Sequence, residues 1–221
     1  ETEHQAILAA RWATNRAEWS TEGAPPPDPV AAIGASEETV EVVHSAGSDP
    51  AGVDGKVFET AVSRQYLSHA PIGPSAALAQ WSDGHLTVWI HRPGSGCYGH
   101  NGADDVALDA ALMARAVPGR PVLVVWSRKD EFRNAPLGAG MVTRVRAVMG
   151  TDGRIAAMDV TANSAPHGNR PGRNGSPNLR AAAYLERPLP PARSSDIPLA
   201  NGGGADRNAV PGYANPNLKI A

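Results

Sequence analysis

Cysteine is almost missing from this sequence: Cys97 stands alone among 221 residues. One thiol excludes an internal disulfide and cannot build a zinc site by itself. Neither charge sign dominates. A formal net charge of −2 removes the electrostatic ground for nucleic acid or an anionic membrane surface as a partner. No apolar run approaches the ~20 residues needed to cross a bilayer. The opening Glu1-Thr2-Glu3-His4 has neither a basic region nor an apolar core, so no signal peptide is visible. The expectation is a cytoplasmic protein, or a periplasmic one if a signal lies upstream. Aromatics are sparse, at 5%.

What is present is ordinary in bulk and unusual in its punctuation. Apolar residues at 42% and charged residues at 19% suit a globular chain. The 23 glycines and 20 prolines imply many turns and extended loops. Residues His4 to Trp19 predict a helix, with Ile7, Leu8 and Trp12 at helical spacing. The serial prolines of 23–29 read as a linker, since each lacks an amide donor. Thr39 to His44 predicts a short strand, and Val57 to Ile90 reads as mostly β. Asp83-Gly84 between two apolar runs predicts a hairpin, because glycine accepts positive φ at no steric cost. A helix follows over Asp104–Ala116, with acids at its start and Arg115 near its end. Pro121–Trp126 is nearly all apolar and reads as a strand buried on both faces. A second hairpin is expected around Thr151-Asp152-Gly153. Beyond Ala165 the pattern weakens into an extended connection, with a short helix near Leu179–Glu186. The fold class expected is α+β: β-hairpins packed with one main helix.

The run GSGCYGHNGADD, Gly94 to Asp105, holds the clearest chemical signal. Gly94, Gly96, Gly99 and Gly102 precede a strong helix start. Glycines there let backbone amides approach a ligand with no Cβ in the way. Amides at a helix start favour an anion such as phosphate. A tight structural turn explains the same glycines. Tyr98 and His100 either line what the loop cradles or pack over that turn. The Gly-Lys-Ser/Thr of a Walker loop is absent, and so is the Rossmann spacing. The pairing of Cys97 with His91 or His100 is a weak metal signal, and no metal ligand is assigned. Ser95 lies outside any Gly-x-Ser-x-Gly elbow and reads as a turn serine. Asp104 and Asp105 are adjacent, so they face different directions and read as helix-start acids. The five tryptophans read as core; Arg170, Arg173 and Arg180 could contact an anion but read rather as a solvated loop.

Three stretches together resemble a known family: HAPIGPSAALAQWSDGHLTVWI, then GSGCYGHNGADDVALDAALMARAVPGRPVLVVWSRKDEF, then MVTRVRAVMGTDGRIAAMDVTANSAPHGNRPG. They are similar to the first cofactor-binding half of the large, molybdopterin-binding subunit of molybdenum hydroxylases, the xanthine dehydrogenase and aldehyde oxidase family. The Gly-Cys-Tyr-Gly-His-Asn-Gly-Ala-Asp-Asp form resembles the isoquinoline- and nicotinate-hydroxylase branch. Xanthine dehydrogenases carry Gly-Gly-Gly-Phe-Gly-Gly-Lys there. The tail GGGADRNAVPGYANPNLKIA resembles the segment before the second cofactor half.

The resemblance implies an incomplete domain of the molybdenum-cofactor-binding type: residues 1–164 as the first molybdopterin-binding segment and 165–221 as an extended segment leading to a second half. It implies a molybdenum–molybdopterin cofactor, in the cytosine dinucleotide form, bound by Gly96, Cys97, Tyr98, Gly99, His100, Asn101 and Gly102. The implied reaction is hydroxylation of an N-heterocycle or aldehyde with oxygen from water. Electrons would leave through 2Fe-2S clusters on a partner iron–sulfur subunit. The family's glutamate general base has no counterpart in this sequence, so no catalytic residue is assigned. The sequence also departs from the family where His91-Arg92-Pro93 joins the hairpin directly to the glycine loop. A Ser-Gln or Thr-Gln pair, a helix and a strand are missing there. That loss is expected to leave the Val122–Trp126 strand with exposed edge amides. A subunit that needs further large-subunit polypeptide to work is one expectation; a truncated, non-catalytic structural or interaction piece is the other.

Overall fold

The structure is a computed structural model that describes residues 2–18, 26–36, 40–68, 70–90, 105–135, 137–167, 179–189, 195–201 and 203–221. Its first helix, α1 (Glu3–Thr14), is closed at its start by a reciprocal capping box between Thr2 and Gln5. It is shorter than the sequence pattern suggests and buries no residue. Ile7, Leu8 and Trp12 are 43%, 49% and 60% exposed, so among the described residues the apolar stripe that predicts a core-facing helix is not buried. The proline run ends in structure: Asp28 caps a short helix, α2 (Pro29–Gly34), whose first position takes proline without losing a hydrogen bond.

Five strands form the larger sheet: β1 (His44–Ala46), β2 (Lys56–Arg64), β8 (Met141–Met149), β9 (Ile155–Ser164) and β10 (Leu218–Ile220), in the order β1-β10-β9-β8-β2. β8 and β9 form the second expected hairpin, with Gly153 at φ 76° and the Gly150 N–H bonded to the Arg154 carbonyl at 2.9 Å. β10 lies between β1 and β9 and runs parallel to β9. A three-residue strand from the far end of the sequence therefore closes this sheet, and its Leu218 and Ile220 share a small core with Met158. On the opposite face, the register lines up Glu59, Arg146, Asp159 and Lys219 across four strands. Alternating charges at cross-strand positions favour this register over a slipped one.

The smaller sheet joins β4 (Ala76–Ser82), β5 (His85–Ile90) and β6 (Pro121–Val125) in the order β5-β4-β6. The β4–β5 hairpin turns through Asp83 and Gly84, both at positive φ (51° and 79°), as a two-residue turn of type I′ requires. Helix α3 (Asp105–Ala116) lies on one face of this sheet. The core between them is Ala77, Ala79, Val106, Ala110, Ala114 and Trp126. Alanines on both sides let the helix approach the strands closely.

β6 differs from its expected role. Its residues alternate between exposed and half-buried: Leu123 is 65% and Val125 54% exposed, so only the face under α3 is covered. A continuous apolar run does not distinguish a doubly buried strand from a half-covered one. β6 does stand at a sheet edge among the described residues, as the missing family strand suggests. A short two-stranded ladder, β3 (Leu67–Ser68) with β7 (Leu137–Gly138), pairs segments that flank the two sheets in sequence. Among the described residues no helix is long and apolar enough to cross a membrane.

Candidate functional site

Every residue assigned to the glycine loop — Gly96, Cys97, Tyr98, Gly99, His100, Asn101 and Gly102 — lies outside the described residues. What the structure gives is the framework that holds the loop's two ends. β5 delivers the chain at Ile90 and α3 takes it up at Asp105. Ile90 packs against the same core cluster as Val106, so both ends are fixed to one layer.

Three carboxylates organise this layer, each by accepting a hydrogen bond from another segment. Asp105 is 3% exposed and accepts from the backbone N–H of Arg180 at 2.7 Å. Asp109, one turn on, accepts from the Trp126 indole N–H at 3.0 Å. Glu131 is 1% exposed and accepts from the backbone N–H of Ser75, just before β4. Glu131 sits on α4 (Arg128–Asn134), a helix the sequence reading missed. The signal was present: Ser127 and Asp130 form a capping box, with the Asp130 N–H 3.3 Å from the Ser127 hydroxyl and the Ser127 N–H 2.9 Å from the Asp130 carboxylate. Arg128 of the same helix donates to the Pro71 and Ile72 carbonyls, at 2.5 and 3.0 Å, and fixes the corner that leads into β4.

Asp105 is therefore more than a helix-start acid. Burial pushes its carboxyl above the ordinary aspartate range. The Arg180 N–H opposes that rise, Asp109 adds to it and the Arg180 charge lowers it. Arg180 is exposed, as expected, but it starts a 3-10 turn (Arg180–Tyr184) and its guanidinium donates to the Arg133 carbonyl at the end of α4. Arg170 and Arg173 lie outside the described residues, as do Ser95 and Asp104. Among the tryptophans, Trp126 is core at 8% exposure, whereas Trp89, on β5, is 51% exposed.

A second polar cluster occupies an open cleft of about 1090 Å³ between α2, the end of β9 and residues 196–209, lined by Ile33, Tyr66, Asn163, Ser164 and Asp196 among others. Here Ser164 Oγ lies 3.1 Å from His167 Nε2, and Asp196 accepts from the His167 backbone N–H at 3.0 Å and the Ala205 N–H at 2.6 Å. These are the three residue types of a hydrolytic triad in the wrong arrangement. The Ser164 hydroxyl also lies 2.9 Å from the Ala165 carbonyl, which competes with the His167 ring for its proton. Asp196 holds main chain, not the imidazole. Burial works against its charge, but the N–H groups of Ala205, His167 and Ile197, with the His167 charge, outweigh that and hold its carboxyl below the ordinary value. Among the described residues no group of three or more His, Cys, Asp or Glu is placed to hold a metal ion.

No family model matches the chain. Its helix-backed hairpin sheet and mixed five-stranded sheet have the fold of part of a solved aldehyde oxidoreductase. The chain aligns with the aldehyde oxidoreductase from Desulfovibrio desulfuricans at a TM-score of 0.50 and 16% identity, over 70% of this chain and 22% of that one. The fold class read from the sequence is thereby borne out. An alignment with quinoline 2-oxidoreductase from Pseudomonas putida covers 55% of this chain and 20% of that one at 20% identity, but its TM-score of 0.42 is too low to carry weight. In sequence, the chain is 31% identical over 204 residues to a nicotinate dehydrogenase subunit of Pseudomonas putida. That match takes in 78% of this chain and 16% of that subunit, so the chain spans about a sixth of its relative's length. It is homologous to that stretch of the subunit.

Proposed function

We propose that this chain is part of a molybdenum hydroxylase subunit and helps to bind a molybdenum–molybdopterin dinucleotide through the loop between β5 and α3. The observation that carries the reading is the 31% identity to the nicotinate dehydrogenase subunit across 78% of the chain. In this reading the substrate is an N-heterocycle or an aldehyde. Partner polypeptide supplies the remainder of the pocket, the general base and the 2Fe-2S clusters, and the cofactor takes the cytosine dinucleotide form.

One feature of the described framework supports this reading: Ile90 and Val106, at the two ends of the loop, pack in one core cluster. When bound, the cofactor supplies the two-electron chemistry and the ligands of its own metal. The chain's part is to bind and orient it. Gly96, Gly99 and Gly102 would bring bare backbone amides to the anionic groups. Cys97, Tyr98, His100 and Asn101 would line the pterin, with Tyr98 and His100 able to donate hydrogen bonds.

The test is to produce the chain, alone and with the polypeptide encoded beside it, in a host that makes the cofactor. Molybdenum per chain and pterin fluorescence are then measured. Retention of both is expected in wild type. Gly99→Val should abolish it, because a β-branched residue resists positive φ and its methyls would fill ligand space. Full retention in Gly99→Val would reduce the loop to a structural turn. A second reading has an observation of its own: on the sheet face away from α3, Trp89, Leu123 and Val125 are 51%, 65% and 54% exposed, as in a piece that only packs against other polypeptide. Protein free of metal and pterin from every preparation would favour that alternative.

A further inference from the structure

Asp105 is held in a way its position in sequence does not explain. A carboxylate this deeply buried is costly unless it is well hydrogen-bonded. Its partner is the main chain 75 residues on, at Arg180. Arg180 begins a 3-10 turn whose own N-cap residue, Leu179, offers no side-chain cap. Asp105 supplies the missing cap from across the fold. The turn is clasped twice more: Ala182 is 1% exposed and the turn packs on α3, while the Arg180 guanidinium reaches the Arg133 carbonyl. Among the described residues, the charged groups facing Asp105 are Asp109, on the next turn of its own helix, and Arg180 itself. Asp105 is also the first described residue after the glycine loop.

From this geometry we infer that Asp105 is a positioning residue: its carboxylate, gripping the main chain at Arg180, couples the exit of the loop to the docking of residues 179–184. The functional weight of that coupling rests on the proposed role of the loop in holding the cofactor. Order at the start of α3 then depends on a segment far away in sequence. Undocking of that segment loosens the first turn of α3. Burial of Asp105, which raises its pKa, is the energetic cost of this link; an apolar residue at the position would avoid that cost and lose the grip.

Hydrogen exchange separates the grip from mere bulk. Asp105→Ala removes the acceptor, whereas Asp105→Asn keeps a carbonyl oxygen that accepts the same N–H. Arg180→Ala removes only the guanidinium bond. Arg180→Pro also removes the N–H, and Leu179, at φ −96° and ψ 128°, already has the extended backbone a following proline needs. Asp105→Ala and Arg180→Pro should each speed exchange about tenfold, the equivalent of one buried hydrogen bond, in residues 179–184 and 105–112 together. Their combination should add nothing further. Asp105→Asn and Arg180→Ala should leave 105–112 near wild type. In cofactor-loaded protein, molybdenum per chain should fall in Asp105→Ala and Arg180→Pro and be rescued in Asp105→Asn. Faster exchange confined to either segment alone overturns the inference. Coupled exchange with unchanged molybdenum content also overturns it, since Asp105 would then brace the fold and position nothing. If wild type holds no molybdenum, the proposed function fails, and the exchange of 105–112 still decides whether the coupling exists.

Discussion

The three-stranded and five-stranded sheets are made of similar alternating strands, yet they are held together by different physics. The smaller sheet and α3 come from one stretch of sequence, residues 76–125, and meet through a core in which Ala77, Ala79, Ala110 and Ala114 are at most 2% exposed. The larger sheet draws strands from His44 to Ile220 and places three-residue β10 next to β9 in parallel. Packing volume should therefore limit the first, and backbone geometry at a few points should limit the second. The loop proposed to hold the cofactor hangs from the first, and the open cleft lined by Ser164 and Asp196 lies against the second.

Overfilling the alanine core should give the largest effect. Ala110→Leu places extra methylenes between helix and sheet and is expected to cost about 1–3 kcal/mol. At about 2–4 °C per kcal/mol for a chain of this size, the loss is visible as a fall in Tm. Exchange protection should drop in β4, β5, β6 and α3; an equal drop in β10 would show that the two sheets melt as one. Next comes the backbone of the larger sheet. Gly47 sits at φ 69°, where an added Cβ would run into the Pro216 carbonyl oxygen. Gly47→Ala should cost on the order of 1–2 kcal/mol. Protection lost in β1 and β10 but kept in α3 would sharpen the contrast, and loss in α3 would break it. Removing the cap of α4 with Ser127→Ala should cost about 1 kcal/mol, read from a urea midpoint.

The smallest effect is in pH. The Asp105 carboxyl is raised in the folded protein, so the folded state holds its proton more tightly than the unfolded chain does. Its contribution is most favourable below the unfolded value of 3.8 and is lost as pH rises through the folded value. Asp196 is lowered, so its contribution is present above 3.8 and is lost as pH falls through the folded value. A Tm-against-pH series should show the slope above 3.8 flattened in Asp105→Asn and the slope below it flattened in Asp196→Asn. The reverse pattern would mean that one of these hydrogen-bond sets is not formed in solution.

The smaller sheet was largely legible in advance. Asp83-Gly84 forms the expected turn, and α3 begins within one residue of its expected start. α4 was legible and overlooked, since Ser127 and Asp130 spell a capping box. Other features had no local signal. Ile7, Leu8 and Trp12 have the spacing of a buried stripe and still face solvent, because spacing creates a stripe without supplying a surface to cover it. Nothing local to Asp105 names Arg180 as its partner. The loop residues Gly96 to Gly102 were legible as a motif, and only the layer that carries them is described.

The sequence by itself determined the hairpin turns, the extent of α3 and the glycine-rich run before it. Those depend on φ preferences, caps and apolar spacing within a few residues. Tertiary structure alone decided that β10 enters the larger sheet, that β6 is covered on one face only, and that the acid after the glycine run grips a turn 75 residues away. Each of these is a pairing between groups distant along the chain. It is selected by which arrangement satisfies backbone hydrogen bonds and buries apolar area together, a competition that no single stretch of sequence contains.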